Sequence, residues 1–283
     1  MRRVSFLFLL LNTIIASAQE ELLELMEEEP SEKVVYATFK STRLVNGHTV
    51  ELRSPGILGF IISHRFGRVN LGGQEFWGLD QATIRLGLEY GLAKNLNVGI
   101  GRASYFKAYD TYLKYRFLRQ SDAIPLTMTA FGSIVYTSDQ NLPITEFHRY
   151  DYTAQLLIAR KINGNLSLQL MPTFIQRNLV NTNDDANGLV AIGVGGRYKV
   201  SNRVSINSEY YPQLTRYSDA QYNVFGIGVD IETGGHVFQL HLTNAQQMNE
   251  PGFIGETEDD FFGGDIHFGF NISRIFDLQP NKF

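Results

Sequence analysis

The chain contains no cysteine, so no disulfide can staple its fold and no cysteine-linked lipid can anchor its N-terminus. It has no run of about 18 apolar residues, which excludes an ordinary membrane-spanning helix. Positive residues are in deficit, 25 Lys and Arg against 29 Asp and Glu, so a nucleic-acid partner, which asks for a basic face, is not expected. The common catalytic spacings are missing as well. There is no Gly-x-Ser-x-Gly elbow, no phosphate-binding glycine loop opening a helix, and no metal signature among His48, His64, His148, His236, His241 and His267. No catalytic residue, metal ligand or cofactor is therefore expected. A hydrolase built from separate strands is the third choice of function, because such a dyad needs no contiguous motif.

What the chain does contain begins with an export signal. Arg2 and Arg3 precede a largely apolar stretch, residues 4–15, and Ala16-Ser17-Ala18 fits cleavage before Gln19. Cleavage would move the formal charge from −4 to −6 by removing the two arginines. Three parts are expected: a signal peptide over 1–18, an acidic segment over 19–33 and a β-domain over 34–283. The acidic segment carries Glu20, Glu21, Glu24, Glu27, Glu28, Glu29 and Glu32 around Leu22, Leu23, Leu25 and Met26. It reads either as a solvated terminus, since like charges repel, or as a short amphipathic helix that plugs a lumen or docks an envelope partner.

Beyond residue 34 the pattern has a period of two. Residues 81–92 present Ala82, Ile84, Leu86, Leu88, Tyr90 and Leu92 on one face, and Gln81, Thr83, Arg85, Gly87, Glu89 and Gly91 on the other. Alternate side chains of a strand point to opposite sides, so one wall is oily and the other charged and glycine-spaced. Lipid tolerates only helices or closed barrels, and a tilted strand of about 9–11 residues crosses it. The charged fraction of 19% and apolar fraction of 43% suit a barrel, because only every second residue meets lipid.

Thirteen segments read as strands: 34–42, 57–66, 79–92, 95–105, 108–118, 125–136, 148–162, 165–177, 188–200, 203–211, 222–232, 236–244 and 263–272. Since bacterial barrels favour even numbers, twelve are expected, and the first segment is the one that is luminal or periplasmic instead. Ala93-Lys94-Asn95, Asn163-Gly164-Asn165, Ser201-Asn202-Arg203 and Gly234-Gly235 make tight turns, while 137–147, 178–187, 212–221 and 245–262 are long polar loops. The fold class is thus all-β, a transmembrane antiparallel up-and-down barrel of about 12 strands in the outer membrane, the long loops outside. A soluble β-sandwich also alternates, but its strands run to about 5 or 6 residues.

Several strings resemble a family of membrane-bound β-barrel domains of unknown function from Gram-negative bacteria. They include Thr38-Phe39-Lys40, Asn46-Gly47-His48, Ser63-His64-Arg65-Phe66-Gly67, Gly78-Leu79-Asp80-Gln81, Gly99-Ile100-Gly101-Arg102, Leu113-Lys114-Tyr115, Leu242-Thr243-Asn244 and the stretch from Gly264-Asp265-Ile266 to Ile272-Ser273-Arg274. The resemblance implies a barrel in the outer membrane and carries no activity, ligand or catalytic residue.

Function must then lie on the inward parity. The lumen-lining candidates are Arg85, Glu89, Asp110, Lys114, Arg116, Lys161, Arg177, Arg197, Lys199, Glu209, Asp230, His241 and His267. Such charges either line water or pair across the barrel, because an unpaired buried charge costs several kcal/mol. Inward Gly87, Gly91, Gly99, Gly101, Gly193, Gly195, Gly226 and Gly228 leave room for a pore, for strand curvature or for an inserted loop. The leading expectation is a passive conduit for small hydrophilic solutes; the alternative is a plugged barrel that anchors an envelope complex. Outer-membrane lipid is the expected surrounding in either case. Two arginines break the parity: Arg102 and Arg160 fall on the oily face and are expected near strand ends or at bulges, since lipid at midplane would cost about 2–4 kcal/mol. Asp259 and Asp260 with Glu256 and Glu258 form an acidic loop whose spacing matches no recognised calcium loop.

Overall fold

A computed structural model describes residues 34–178, 187–218 and 220–278. The signal peptide and acidic segment expected over 1–18 and 19–33 lie outside the described residues. From the second unit, Val35–Phe283, the described residues form a closed antiparallel barrel of twelve strands in which each strand pairs with its chain neighbours and the last pairs with the first. In chain order these are β1 (Ile57–Arg68), β2 (Ala82–Ala93), β3 (Leu96–Ala103), β4 (Ala108–Leu118), β5 (Thr127–Thr137) and β6 (Tyr150–Lys161). They continue as β7 (Leu166–Arg177), β8 (Gly188–Lys199), β9 (Val204–Tyr211), β10 (Val224–Thr233), β11 (His236–Thr243) and β12 (His267–Asp277). Closure runs from Ile57 opposite Asp277 to Arg68 opposite His267, with one register shift near Arg65.

Turn chemistry explains the short rim. Asn163 Oδ1 accepts from the N–H groups of Asn165 and Leu166, both at 2.9 Å, and Ser201 Oγ does the same for Arg203 and Val204. Gly234 turns at φ +62°, where a side chain would be strained. At the opposite rim the connections are longer, except 104–107 between β3 and β4. The short rim therefore faces the periplasm and the long-loop rim the exterior.

Alternation sets the two walls. Leu86, Leu88, Ile100, Leu113, Leu168, Leu170, Val194, Ile227 and Leu240 stand exposed on the outside, while their neighbours Arg85, Glu89, Gln169 and Gln239 are buried inside. Arg102 and Arg160 are each the second-to-last residue of their strands, β3 and β6. Arg102 Nε donates to the Tyr109 hydroxyl at 3.2 Å there.

Segment 34–42, the candidate that an even strand count sets aside as luminal or periplasmic, forms no wall strand and leads into the lumen, and the wall has the expected twelve strands. One expectation needs correcting. The final strand begins four residues late, at His267, because Asp260 and Asp265 tie the preceding turn together through two contacts, Asp265 N–H to Asp260 O at 2.9 Å and Asp260 N–H to Asp265 Oδ2 at 3.3 Å.

Candidate functional site

The lumen is occupied by the chain itself. Residues 38–50 form a tight hairpin in which Leu44 N–H donates to Gly47 O and Thr49 N–H to Thr42 O, both at 2.9 Å. The Asn46-Gly47 dipeptide supplies the turn, and nearly every residue of the hairpin is buried. At its tip, Glu209 of β9 accepts from three successive backbone N–H groups: Val45 at 3.3 Å, Asn46 at 2.7 Å and Gly47 at 3.2 Å. Further round the wall the tip carbonyls are taken up by donors from β1, β11 and β12. Asn271 Nδ2 reaches Val45 O at 3.2 Å, Gln239 Nε2 reaches Leu44 O at 3.0 Å, and Arg65 Nη2 reaches Asn46 Oδ1 at 3.0 Å. Gln169 bridges the returning leg, donating to His48 O at 2.8 Å and accepting from Val50 N–H at 2.9 Å.

Inward glycines make the space for this hairpin. A Cβ on Gly195 would lie 2.5 Å from Leu44 Cδ1 and one on Gly226 would lie 2.9 Å from Val45 Cγ1, while one on Gly91 would collide with the Ser54 carbonyl of the segment that follows the hairpin. Of the three roles open to those glycines, an inserted segment is the one these positions serve.

From the outer rim a second element folds in. The loop between β11 and β12 contains α1 (Glu250–Gly255), capped by Asn249 and buried throughout. Phe253 and Ile254 of α1 join Leu44, Val50, Phe131, Leu157, Met171, Ile175, Leu189 and Tyr211 in one apolar cluster inside the barrel. Glu250 lies 3.5 Å from Arg43 Nη1 and 3.6 Å from His48 Nε2, so hairpin and helix touch through charged groups.

The inward charges fall into three groups. In the middle of the barrel, Arg85 grips Asp110 through two hydrogen bonds, Nε to Oδ2 at 2.8 Å. Glu89 faces Arg53 Nε at 3.2 Å and Lys114 Nζ at 3.9 Å, and Lys114 also donates to Glu51 O at 2.6 Å. Asp230 accepts from Gln239 at 2.9 Å; His241 is buried with both ring nitrogens unpartnered in the described structure. Toward the periplasmic rim, Arg197 donates to Thr38 O at 3.2 Å, Lys161 to Tyr36 O at 3.2 Å, and Lys199 sits half-buried at the end of β8. Toward the outside, Arg177 pairs with Glu256 at 2.6 Å. His267 is held between Asp259 Oδ2 and the Phe66 carbonyl, each 2.7 Å from one ring nitrogen. Two of the loop carboxylates are thus engaged by arginines, Glu256 by Arg177 and Asp259 by Arg68 at 3.4 Å.

Sequence reasoning missed Arg43, Asn46, His48, Glu51 and Arg53, the hairpin residues that meet these charges. The signal available was the Asn46-Gly47 dipeptide, which marks a turn inside a stretch too short for two crossings.

Two polar mouths remain on either side of the plug. The outer cavity, of about 740 Å³, is lined by Asp151, Glu256, Glu258 and Asp259 against Arg68 and Arg177. The inner one, of about 430 Å³, is lined among the described residues by Lys40, Arg53, Lys94, Arg116 and Arg119 against the carboxylate of Glu51. Next to the outer cavity, Asp265 is kept below the usual carboxylate range by the Asn70 side chain, then by the Asp260 N–H, with Arg68 adding its charge.

A closed twelve-strand barrel with an apolar outer wall and a packed interior defines an outer-membrane β-barrel protein. The chain belongs to the family described as membrane bound beta barrel domain (DUF5777), whose model matches residues 39–276, a stretch that takes in the luminal hairpin as well as the wall. No curated protein matches the sequence. Similar solved structures include the NanC porin, at 9% identity over 79% of this chain and 100% of that one, with a TM-score of 0.49. The KdgM porin follows at 9% identity over 77% and 98%, TM-score 0.48. An outer membrane channel from Pseudomonas putida F1 is similar at 15% identity over 81% and 98%, TM-score 0.45.

Proposed function

We propose that this protein is a conduit for small hydrophilic solutes that its own chain holds shut, and that it conducts when residues 38–50 leave the lumen. One observation carries the reading: between two polar mouths, one on each side of the membrane, the lumen is filled by the chain's own hairpin and by α1 packed against it. Along β1, β11 and β12 the hairpin is held by hydrogen bonds to polar side chains, which water can replace, since the net worth of each is about 0.5–1.5 kcal/mol. The inward charges exposed by its departure, Arg85, Glu89, Asp110 and Lys114 foremost, would then line the passage and set its ion preference.

The test is single-channel recording on the refolded mature chain. The intact protein is expected to give no steady conductance. A variant lacking residues 38–50 is expected to give discrete steps, with ion selectivity that moves when Lys114→Glu is added. A variant lacking both residues 38–50 and α1 that folds, inserts and stays silent would refute the conduit and leave a barrel that serves as an anchor for envelope partners.

A further inference from the structure

We propose that the periplasmic mouth is a binding site for a phosphate-bearing anion, held by Lys94, Arg116 and Arg119. These three come from the β2–β3 turn, the end of β4 and the segment after it, and all line the inner cavity. Among the described residues none of them lies within salt-bridge distance of a carboxylate, whereas the other two cations of the cavity are already engaged. Lys40 pairs with Glu232, and Arg53 with Glu89 at 3.2 Å. Glu51, the one carboxylate among the described residues of the cavity, accepts the Phe39 N–H at 3.0 Å. Among the described residues the mouth therefore keeps a surplus of positive charge.

Arg116 is the strongest indication of a missing partner. It is only 9% exposed, and its Nε is buried with no hydrogen bond in the described structure. Its one bond is a long one, Nη2 to the Lys94 carbonyl at 3.4 Å. A buried guanidinium without an acceptor is costly, and a bound anion would supply the acceptor. Arg119 is pre-set for the same task. Its Nε donates to Val35 O at 3.1 Å, and its guanidinium lies 4.0 Å from the centre of the Tyr36 ring, which fixes the plane of the fork. Two forked arginines and one lysine suit the several oxygens of a phosphate better than a single carboxylate, which one arginine satisfies bidentately.

The phosphate has two possible sources, an anionic lipid headgroup of the periplasmic leaflet or a soluble phosphate ester, and both present the same group to these side chains. The site rests on the geometry of the mouth and stands whether or not the barrel conducts.

Calorimetric titration of inorganic phosphate into the mature protein in zwitterionic detergent tests it. Saturable binding is expected that chloride does not reproduce. Arg119→Gln, a half-exposed position checked for folding by circular dichroism, should weaken it roughly tenfold. The triple variant K94Q/R116Q/R119Q, checked for folding by circular dichroism, should abolish it. A second arm repeats the titration in phosphatidylcholine vesicles with and without phosphatidylglycerol. Binding suppressed by phosphatidylglycerol assigns the site to lipid headgroups, and equal binding assigns it to soluble phosphate. Absence of saturable binding by the folded protein, or binding unchanged in Arg119→Gln and in a folded triple variant, would overturn the proposal.

Discussion

The wall of β1–β4 and the wall of β5–β8 obey the same alternation yet differ in what they present to the lumen, the first carrying most of the buried charge and the second most of the large apolar side chains. The first turns Arg65, Arg85, Glu89, Asp110, Lys114 and Arg116 inward; the second turns Phe131, Leu157, Met171, Ile175, Leu189 and Ala191 inward. The hairpin and α1 lie between them and match each side. Arg53 and the carbonyl of Glu51 face the charged wall, and Leu44, Phe253 and Ile254 pack on the apolar one. A plug held this way has one side fixed by charged, directional contacts and the other by non-directional burial to which Gln169 and Arg197 add a few directional bonds. The directional side sets where the hairpin sits, and the apolar side excludes water.

That contrast is best broken on the charged wall first. Asp110→Ala leaves Arg85 buried without its partner and should cost about 3–5 kcal/mol in urea unfolding from detergent micelles. Replacing both partners, as R85M/D110L, should recover most of the loss, because two apolar groups of similar size need no partner. On the apolar wall Leu157→Ala should cost roughly 3 kcal/mol by the same measurement, with no polar second change able to rescue it, because the loss is packing and cavity rather than pairing. Equal behaviour of the two walls in these rescue experiments would refute the division.

The smallest effect lies outside the barrel. Because Asp265 has a depressed folded-state pKa, its contribution is present above the ordinary carboxylate range and is lost as pH falls through the folded value. The thermal midpoint should therefore show a shallow acid limb below that range, and Asp265→Asn should flatten it. An unchanged acid limb in the variant would assign it to other carboxylates.

Much of this architecture was legible in the alternation. The oily faces of β2 and β12, the tight turns at 163–165 and 234–235, and the placement of Arg102 and Arg160 at strand ends all follow from lipid demanding apolar contact on one parity. The interior was less legible. Gly195 and Gly226 read equally well as pore, bend or accommodation, because a missing side chain does not name what fills its place. Segment 34–42 reads as a strand because a luminal segment, packed against an apolar wall and a polar one, carries the same mixed pattern as a lipid-facing strand.

By itself the sequence determined that the chain crosses the membrane as strands, and which residues turn away from lipid, since hydrogen-bond satisfaction in a bilayer and the two-residue period leave one solution. Only the tertiary structure decided that the lumen is filled. Closing the barrel brings Glu209 against the tip at Asn46 and Gly47, and Glu250 against Arg43, across separations in sequence of more than 160 residues, and no local pattern encodes a contact made at that distance.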